Sequence, residues 1–374
     1  MFLLNRRHLV VTLGGFVLSW HRRTARAAAP DDWAAILPAD AGFAPDLGDR
    51  LDAAVRKGEL RNLHAVLVAR TGGLVVERYY EGRDERWGQP LGTVKFGPDV
   101  KHDLRSISKS VVSLLYGIAL AEGKVPAPDR PLIDQFPAYK DLAVDPRRRR
   151  MTIAHALSMT LGTLWNEDLP YTDPRNGEYA MEVAPDRYRF VLDRPLVAEP
   201  GSRWTYNGGA TALLGHLIAA GVGKPLLDYA RAKLFDPLAI ADAEWTAGSN
   251  GEAAAASGLR LRPRDLAKLG QLVLERGRWG EHQLVPAPWL DQSFAPHAHV
   301  EEGLDYGYQW WLGRLSENGQ PWVAGFGNGG QRVIAVPGLH LVVVIMAGNY
   351  NQPDQSEVPL AVMNKFVMAA LSAK

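Results

Sequence analysis

The stretch 105-RSISKSVVSLLYGIALAEG-123 decides how the rest of the chain is read. Val111, Val112, Leu114, Leu115 and Ile118 recur at helical spacing, so the segment is expected to be a buried helix. Its first turn does not fit a purely structural helix, because Ser106, Ser108, Lys109 and Ser110 crowd the end that meets the rest of the fold. Ser106 and Lys109 form the only Ser-x-x-Lys pair in the sequence. Residues at i and i+3 share a helix face, so hydroxyl and ammonium can meet. A serine hydroxyl is a poor nucleophile until a neighbouring base takes its proton. A lysine can be that base once burial or nearby positive charge lowers its pKa. The unpaired N–H groups and positive dipole of the first turn make the Ser106 amide a suitable oxyanion donor. The plain alternative is a helix start that Ser106 caps and from which Lys109 reaches solvent.

Upstream, 62-NLHAVLVARTGGLVVERYY-80 contains two β-rich runs broken at Thr71-Gly72-Gly73, the pattern of a hairpin. Downstream, YGYQWWLGRL, QPWVAGFGNGGQRVIAVP and LHLVVVIMAGN read as three more strand-like runs, with turns at Asn318-Gly319 and Pro337-Gly338. The expectation is an α/β (α+β) fold with an antiparallel five-stranded sheet flanked by helices. Residues 30–100 and 283–374 would supply that sheet, with the final SEVPLAVMNKFVMAALSAK as a helix packed on it. Residues 101–282 would form a mostly helical lobe, and a site at the seam is expected.

Residues 1–29 are of another kind: Arg6-Arg7, a short apolar run from Leu9 to Trp20, then an alanine-rich end with small-residue cleavage sites. They read as a twin-arginine export signal and place the protein in the periplasm or outside the cell. Taking its five arginines from 42 basic and 41 acidic side chains leaves 37 against 41, a mildly acidic mature chain. That argues against nucleic acid or an anionic membrane as partner, and Arg147-Arg148-Arg149-Arg150 is read as a solvated turn. No stable membrane span is expected after signal removal, because no apolar run reaches about 18 residues. With no cysteine in the chain, thiol nucleophiles, thiolate metal sites and disulfides are excluded. There is no Gly-x-Ser-x-Gly elbow, His-Glu-x-x-His or Walker pattern, so neither a metal nor a cofactor is expected.

In their order along the chain, the early hairpin, RSISKS, EPGSRWTYNGGATALLG and FGNGGQRVIAVPGLHLVVVIMAGNY resemble the serine β-lactamase-like superfamily. That group includes class C β-lactamases, D-alanyl-D-alanine carboxypeptidases, family VIII carboxylesterases and 6-aminohexanoate-dimer hydrolases. The resemblance implies an acyl-enzyme on Ser106, with Lys109 and Tyr206 as general base and acid. Tyr206, in WTYNGG, matches the tyrosine of the family's Tyr-x-Asn, and its pKa is expected to be lowered by Lys109. Asn328-Gly329-Gly330 stands where the family has a Lys-Thr-Gly or His-x-Gly, with the Gln331 amide as second oxyanion donor beside that of Ser106. Trp165 is expected to line an apolar acyl pocket, with Trp204, Trp310 and Trp311 as further candidates.

Two departures bear on substrate. Gly208 replaces the asparagine of Tyr-x-Asn, and Asn328 replaces the family's cation that recognises a substrate carboxylate. Both point away from an efficient penicillinase and toward small-molecule esters or non-peptide amides. The alternative is a penicillin-binding or sensor-type domain that is acylated without efficient turnover.

Overall fold

The computed structural model describes residues 33–371 except residue 317, so the export segment at residues 1–29 lies outside the described residues. Its centre is a single antiparallel sheet of eight strands rather than five. These are β1 (Leu63–Arg70), β2 (Gly73–Tyr79), β3 (Ala298–Glu301), β4 (Leu304–Tyr306), β5 (Trp311–Arg314), β6 (Pro321–Gly327), β7 (Gln331–Val336) and β8 (Leu341–Ala347). In space they run β3-β4-β5-β6-β7-β8-β1-β2, so the early hairpin joins the late strands through β1 against β8. The count differs for two reasons. The run QPWVAGFGNGGQRVIAVP holds two strands joined by a tight turn, and the short β3–β4 pair has too few alternating residues to register as strands.

The predicted hairpin turns at Thr71 and Gly72, both with positive φ (50° and 83°), the geometry that matches the twist of paired strands. Between β6 and β7, Gly330 sits at φ 100°, a conformation that side chains bearing a Cβ rarely adopt, which fixes glycine there. β1, β7 and β8 are buried along almost their whole length because both sheet faces are covered. Leu67, Val333, Val342 and Val344 face one apolar cluster, while Val66, Val68, Ile334 and Val343 face the other. The two-residue period of a strand thus feeds two cores at once. The second core is closed by helix α1 (Leu47–Arg56) and by the C-terminal Glu357–Met368, which is helical as expected.

The first core carries three longer helices: α2 (Ile107–Ala121), α3 (Gly208–Val222) and α4 (Pro263–Leu274). α2 is buried almost all round, which explains its weak amphipathic contrast. It packs on α3 and against β6, where Gly325 leaves room for it: a Cβ there would stand 3.1 Å from Ser110 Oγ and 3.2 Å from Ile107 Cγ2. α4, although inside the 101–282 span, lies on the sheet against β7 and β8. Arg147–Arg150 is not a turn, although Arg149 and Arg150 are solvent-exposed as expected. Residues Pro146–Arg150 form a short helix in which Arg148 is buried and donates to the carbonyls of Asp193 (3.3 Å) and Arg194 (3.0 Å), satisfying the end of the helix Arg187–Leu192. Among the described residues no single helix is long and apolar enough to cross a membrane.

The α4–sheet contact predicts an inverted sign for a common stabilising change. Glycine to alanine in a helix ordinarily gains about 0.5–1 kcal/mol. At Gly270 the added Cβ would stand 2.5 Å from Val342 Cγ1 and 3.2 Å from Val333 Cγ2. Gly270→Ala is expected to lower stability by roughly 1–3 kcal/mol, read from the midpoint of urea unfolding; a raised midpoint would show that the interface has room.

Candidate active site

Each polar residue in the first turn of α2 has a separate task. Arg105, at φ 50°, turns the chain sharply into Ser106, which occupies the N-cap position without using its side chain as a cap. The Ser106 N–H meets no acceptor among the described residues. Ser108 Oγ donates to Arg105 O (2.6 Å) and accepts from Leu259 N (3.1 Å), docking the short strand Leu259–Leu261 beside the turn. Ser110 Oγ donates to Gln309 O at 2.8 Å. Lys109 Nζ lies 3.0 Å from Ser106 Oγ, the contact that the i, i+3 spacing predicts.

The protonation of Lys109 differs from the expectation. Nζ also donates to Glu178 Oε2 (3.3 Å) and to Ala256 O (3.2 Å). Three acceptors use all three N–H bonds of an ammonium and leave no lone pair for a proton. Burial alone would push the Lys109 pKa down, but Glu178, with Tyr206 and Glu167 behind it, outweighs burial and holds it above the usual lysine range. The two side chains are 1% and 4% exposed, so solvent screens the pair very little.

Tyr206 precedes Asn207, whose Oδ1 caps α3 by accepting from Ala210 N at 3.0 Å. Its ring lies 4.9 Å from Lys109 Nζ and stacks on Trp311 at 5.7 Å. Its pKa is raised rather than lowered: burial and the nearby Glu167 outweigh Lys109 and the hydrogen bond with Ser106. In this arrangement Tyr206 is a neutral phenol and a proton donor.

Sequence reasoning missed the acids. Glu178 belongs to the short helix Gly177–Glu182, which Asn176 starts by accepting from the Glu178 and Tyr179 amides at 2.9 and 3.2 Å. Glu167 Oε1 accepts from Trp165 Nε1 (2.6 Å) and from Gly208 N, and Oε2 accepts from Tyr171 OH (2.9 Å). Burial pushes Glu167 up to about 7, with Lys109 opposing and Glu178 reinforcing. Gly208 explains how both acids fit. A Cβ on it would fall on the Glu178 carboxylate and stand 3.0 Å from Glu167 Oε1. The missing asparagine therefore leaves no hole, because acids from a separate segment fill its space. The legible signal was Gly208 itself, a small residue where the resemblance calls for a side chain.

Ser106 sits between two cavities, of about 430 and 570 Å³, and Tyr171, Asn328 and Asn351 line both with it. The first is walled by Glu85, Arg105, Glu178 and Glu182, the second by Tyr206, Trp311, Phe326 and Arg332. Asn328 Oδ1 accepts from Asn351 N at 3.1 Å and so anchors the facing loop. Gly329, Gly330 and Gln331 do not line either cavity. The Gln331 side chain is turned into the sheet, donating to Asn328 O (3.0 Å) and Ala347 O (2.7 Å). Trp165 also stands outside both cavities: its ring fills the space beside Gly177 and Gly209, and its N–H holds Glu167. Trp311 is the tryptophan of the four named that reaches the cavity wall.

Arg332 was not anticipated. Its buried guanidinium donates to Gln331 O (2.8 Å) and Ser356 Oγ (3.0 Å), lies over Phe326 at 4.3 Å, and pairs with no carboxylate among the described residues. Burial pulls its pKa down to about 10. Apart from Ser106, His64, Asp84 and His102 are buried together with potential ligand atoms within 4.8 Å of one another. Separations of 38 residues between the histidines and 18 between Asp84 and His102 gave no motif to read. His64 Nδ1 and His102 Nε2 lie 2.9 Å apart and Tyr350 OH donates to Asp84 Oδ1 at 2.8 Å, so the cluster ties the segment entering α2 to the sheet.

Known proteins resemble this chain in sequence or in fold. The 6-aminohexanoate-dimer hydrolase of Paenarthrobacter ureafaciens is 26% identical over 355 residues, covering 87% of this chain and 81% of that protein. The lovastatin esterase of Penicillium rubens is 26% identical over 168 residues, 43% of this chain and 39% of that one. Among solved structures, EstCE1, a hydrolase with promiscuous acyltransferase activity, superposes with a TM-score of 0.67 at 17% identity, over 85% of this chain and 98% of its own. The Beta-lactamase family model matches residues 54–362, and with most of its length inside that match the chain belongs to this family as a serine hydrolase.

Proposed function

We propose that the protein is an exported serine hydrolase that cleaves a small-molecule ester or amide through an acyl-enzyme on Ser106. The observation that carries this reading is the 3.0 Å contact between Lys109 Nζ and Ser106 Oγ at the junction of two cavities. Ser106 Oγ attacks the carbonyl carbon as its proton leaves toward the Lys109 side. The Ser106 N–H receives the oxyanion. Tyr206 gives its phenolic proton to the departing oxygen or nitrogen, and the phenolate then takes a proton from the water that releases the acyl group. The substrate amide contact that an asparagine would make is absent at Gly208, which favours esters and simple amides over β-lactams. A twin-arginine export route places this activity in the periplasm or outside the cell.

Arg332 refines the substrate class. The cation missing at Asn328 is replaced by one four residues on, in the cavity that also holds Tyr206. A fragment on the leaving-group side that bears a carboxylate would find a guanidinium there with no competing acid partner among the described residues.

Two outcomes test this reading. Ser106→Ala is expected to abolish hydrolysis of p-nitrophenyl butyrate and to block the covalent adduct with a fluorophosphonate by intact mass, with thermal melting nearly unchanged. A lasting penicillin adduct on the wild type without release of product would instead establish the acylated sensor. Arg332→Gln is expected to raise KM about tenfold or more for an ester whose alcohol carries a carboxylate, while leaving a neutral ester of equal length within about twofold; equal effects on both would remove Arg332 from substrate recognition.

A further inference from the structure

We propose that Glu178 is the terminal proton acceptor of the nucleophile, acting through Lys109, so that Ser106, Lys109 and Glu178 form a proton relay. The inference rests on the serine hydrolase reading and names the group that receives the Ser106 proton.

The case is geometric. Lys109 Nζ is fully engaged by Ser106 Oγ, Glu178 Oε2 and Ala256 O, so it can accept a proton only as it gives one away. Of its three acceptors, a carboxylate is the only one able to keep a proton, and Glu178 lies 3.3 Å away on a side chain 4% exposed. The space Glu178 needs exists because residue 208 is glycine. The groups that act on the relay come from every neighbouring segment: Lys109 on α2, Glu167 and Tyr171 on the preceding loop, Tyr206 before α3, and Glu182, itself paired with Arg187, on Glu178's own helix.

The step balances as follows. The Ser106 O–H bond breaks as Oγ bonds to the carbonyl carbon, and its proton passes to Lys109 Nζ. One Lys109 proton passes to Glu178 Oε2. Lys109 remains an ammonium, Glu178 becomes a carboxylic acid, and the oxyanion carries the matching negative charge. Tyr206 protonates the leaving group and regains a proton from the deacylating water; as the acyl group departs, Glu178 returns its proton through Lys109 to Ser106 Oγ, and the resting charges are restored. Glu178 does not touch substrate in this scheme and is a positioning and proton-holding residue.

The test is the pH dependence of kcat/KM for p-nitrophenyl butyrate, whose leaving group needs no protonation, in wild type, Glu178→Gln and Gly208→Ala, with fluorophosphonate labelling of Ser106 alongside. Glu178→Gln removes the acceptor, and Gly208→Ala displaces its carboxylate from the other side. In both, Lys109 must lose its proton to solvent before it can act. The expected result is a loss of about a hundredfold at neutral pH, recovering roughly tenfold per pH unit into the alkaline range, with labelling rates that follow the same profile. Glu178→Asp, which keeps a carboxylate, is expected to retain the wild-type profile shape. A loss in Glu178→Gln that is uniform across pH, or no loss, overturns the relay. Absence of any adduct on wild-type Ser106 overturns the serine hydrolase reading itself and the relay with it.

Discussion

A buried ammonium–carboxylate pair, Lys109 with Glu178, is the constraint around which the centre of this protein is arranged. Neither charge is screened by solvent, so each fixes the other's position. Their pairing holds the first turn of α2 against the Gly177–Glu182 helix. It also demands glycine at position 208, on the first turn of α3. Three segments far apart in sequence are thereby locked to one another around Ser106 Oγ. A misplacement of about 1 Å in such a constellation costs rate rather than fold.

The charge pair changes what the two expected proton carriers are at rest. A lysine beside a serine is usually argued to be a neutral base through burial, and here burial does act in that direction. The carboxylate wins because it is in direct contact, whereas burial acts through the loss of solvent. Tyr206 is held as a phenol for a different reason: burial, reinforced by Glu167 and Glu178, outweighs Lys109. The resting site thus holds an ammonium beside a phenol rather than a neutral amine beside a phenolate.

Local patterns were legible where a single segment carries the information. The Ser-x-x-Lys spacing placed Nζ against Oγ because both residues share one helical turn, and Thr71-Gly72-Gly73 announced its hairpin because glycines between two β-rich runs suit the positive φ of a tight turn. β1 and β8 were legible as strands but not as partners, since apolar runs covered on both faces carry no register. Glu178 and Glu167 were invisible because their roles arise from convergence of loops, and a glutamate in a helical pattern reads as a solvated face. Trp165 was assigned to the cavity on its size, yet large aromatics serve as readily behind a site as in it, and here the ring buttresses two helix starts while its N–H orients an acid. Arg332 was overlooked inside a strand, where alternation predicts a face but not whether a cation will find a partner.

The pairing of β1 with β8 couples the site to the order in which the chain is made. Leu63–Arg70 emerges early in synthesis and waits for Leu341–Ala347, and β7, which carries Gln331 and Arg332, lies between β6 and β8. Contacts of such sequence separation form late and slowly. Ser106 and Lys109 are therefore made some two hundred residues before the strands that complete the cavity beside them. An unfinished chain has Ser106 and Lys109 but not the cavity wall, so the cavity beside them arrives only with the last strands, as a property of the closed sheet rather than of the motif.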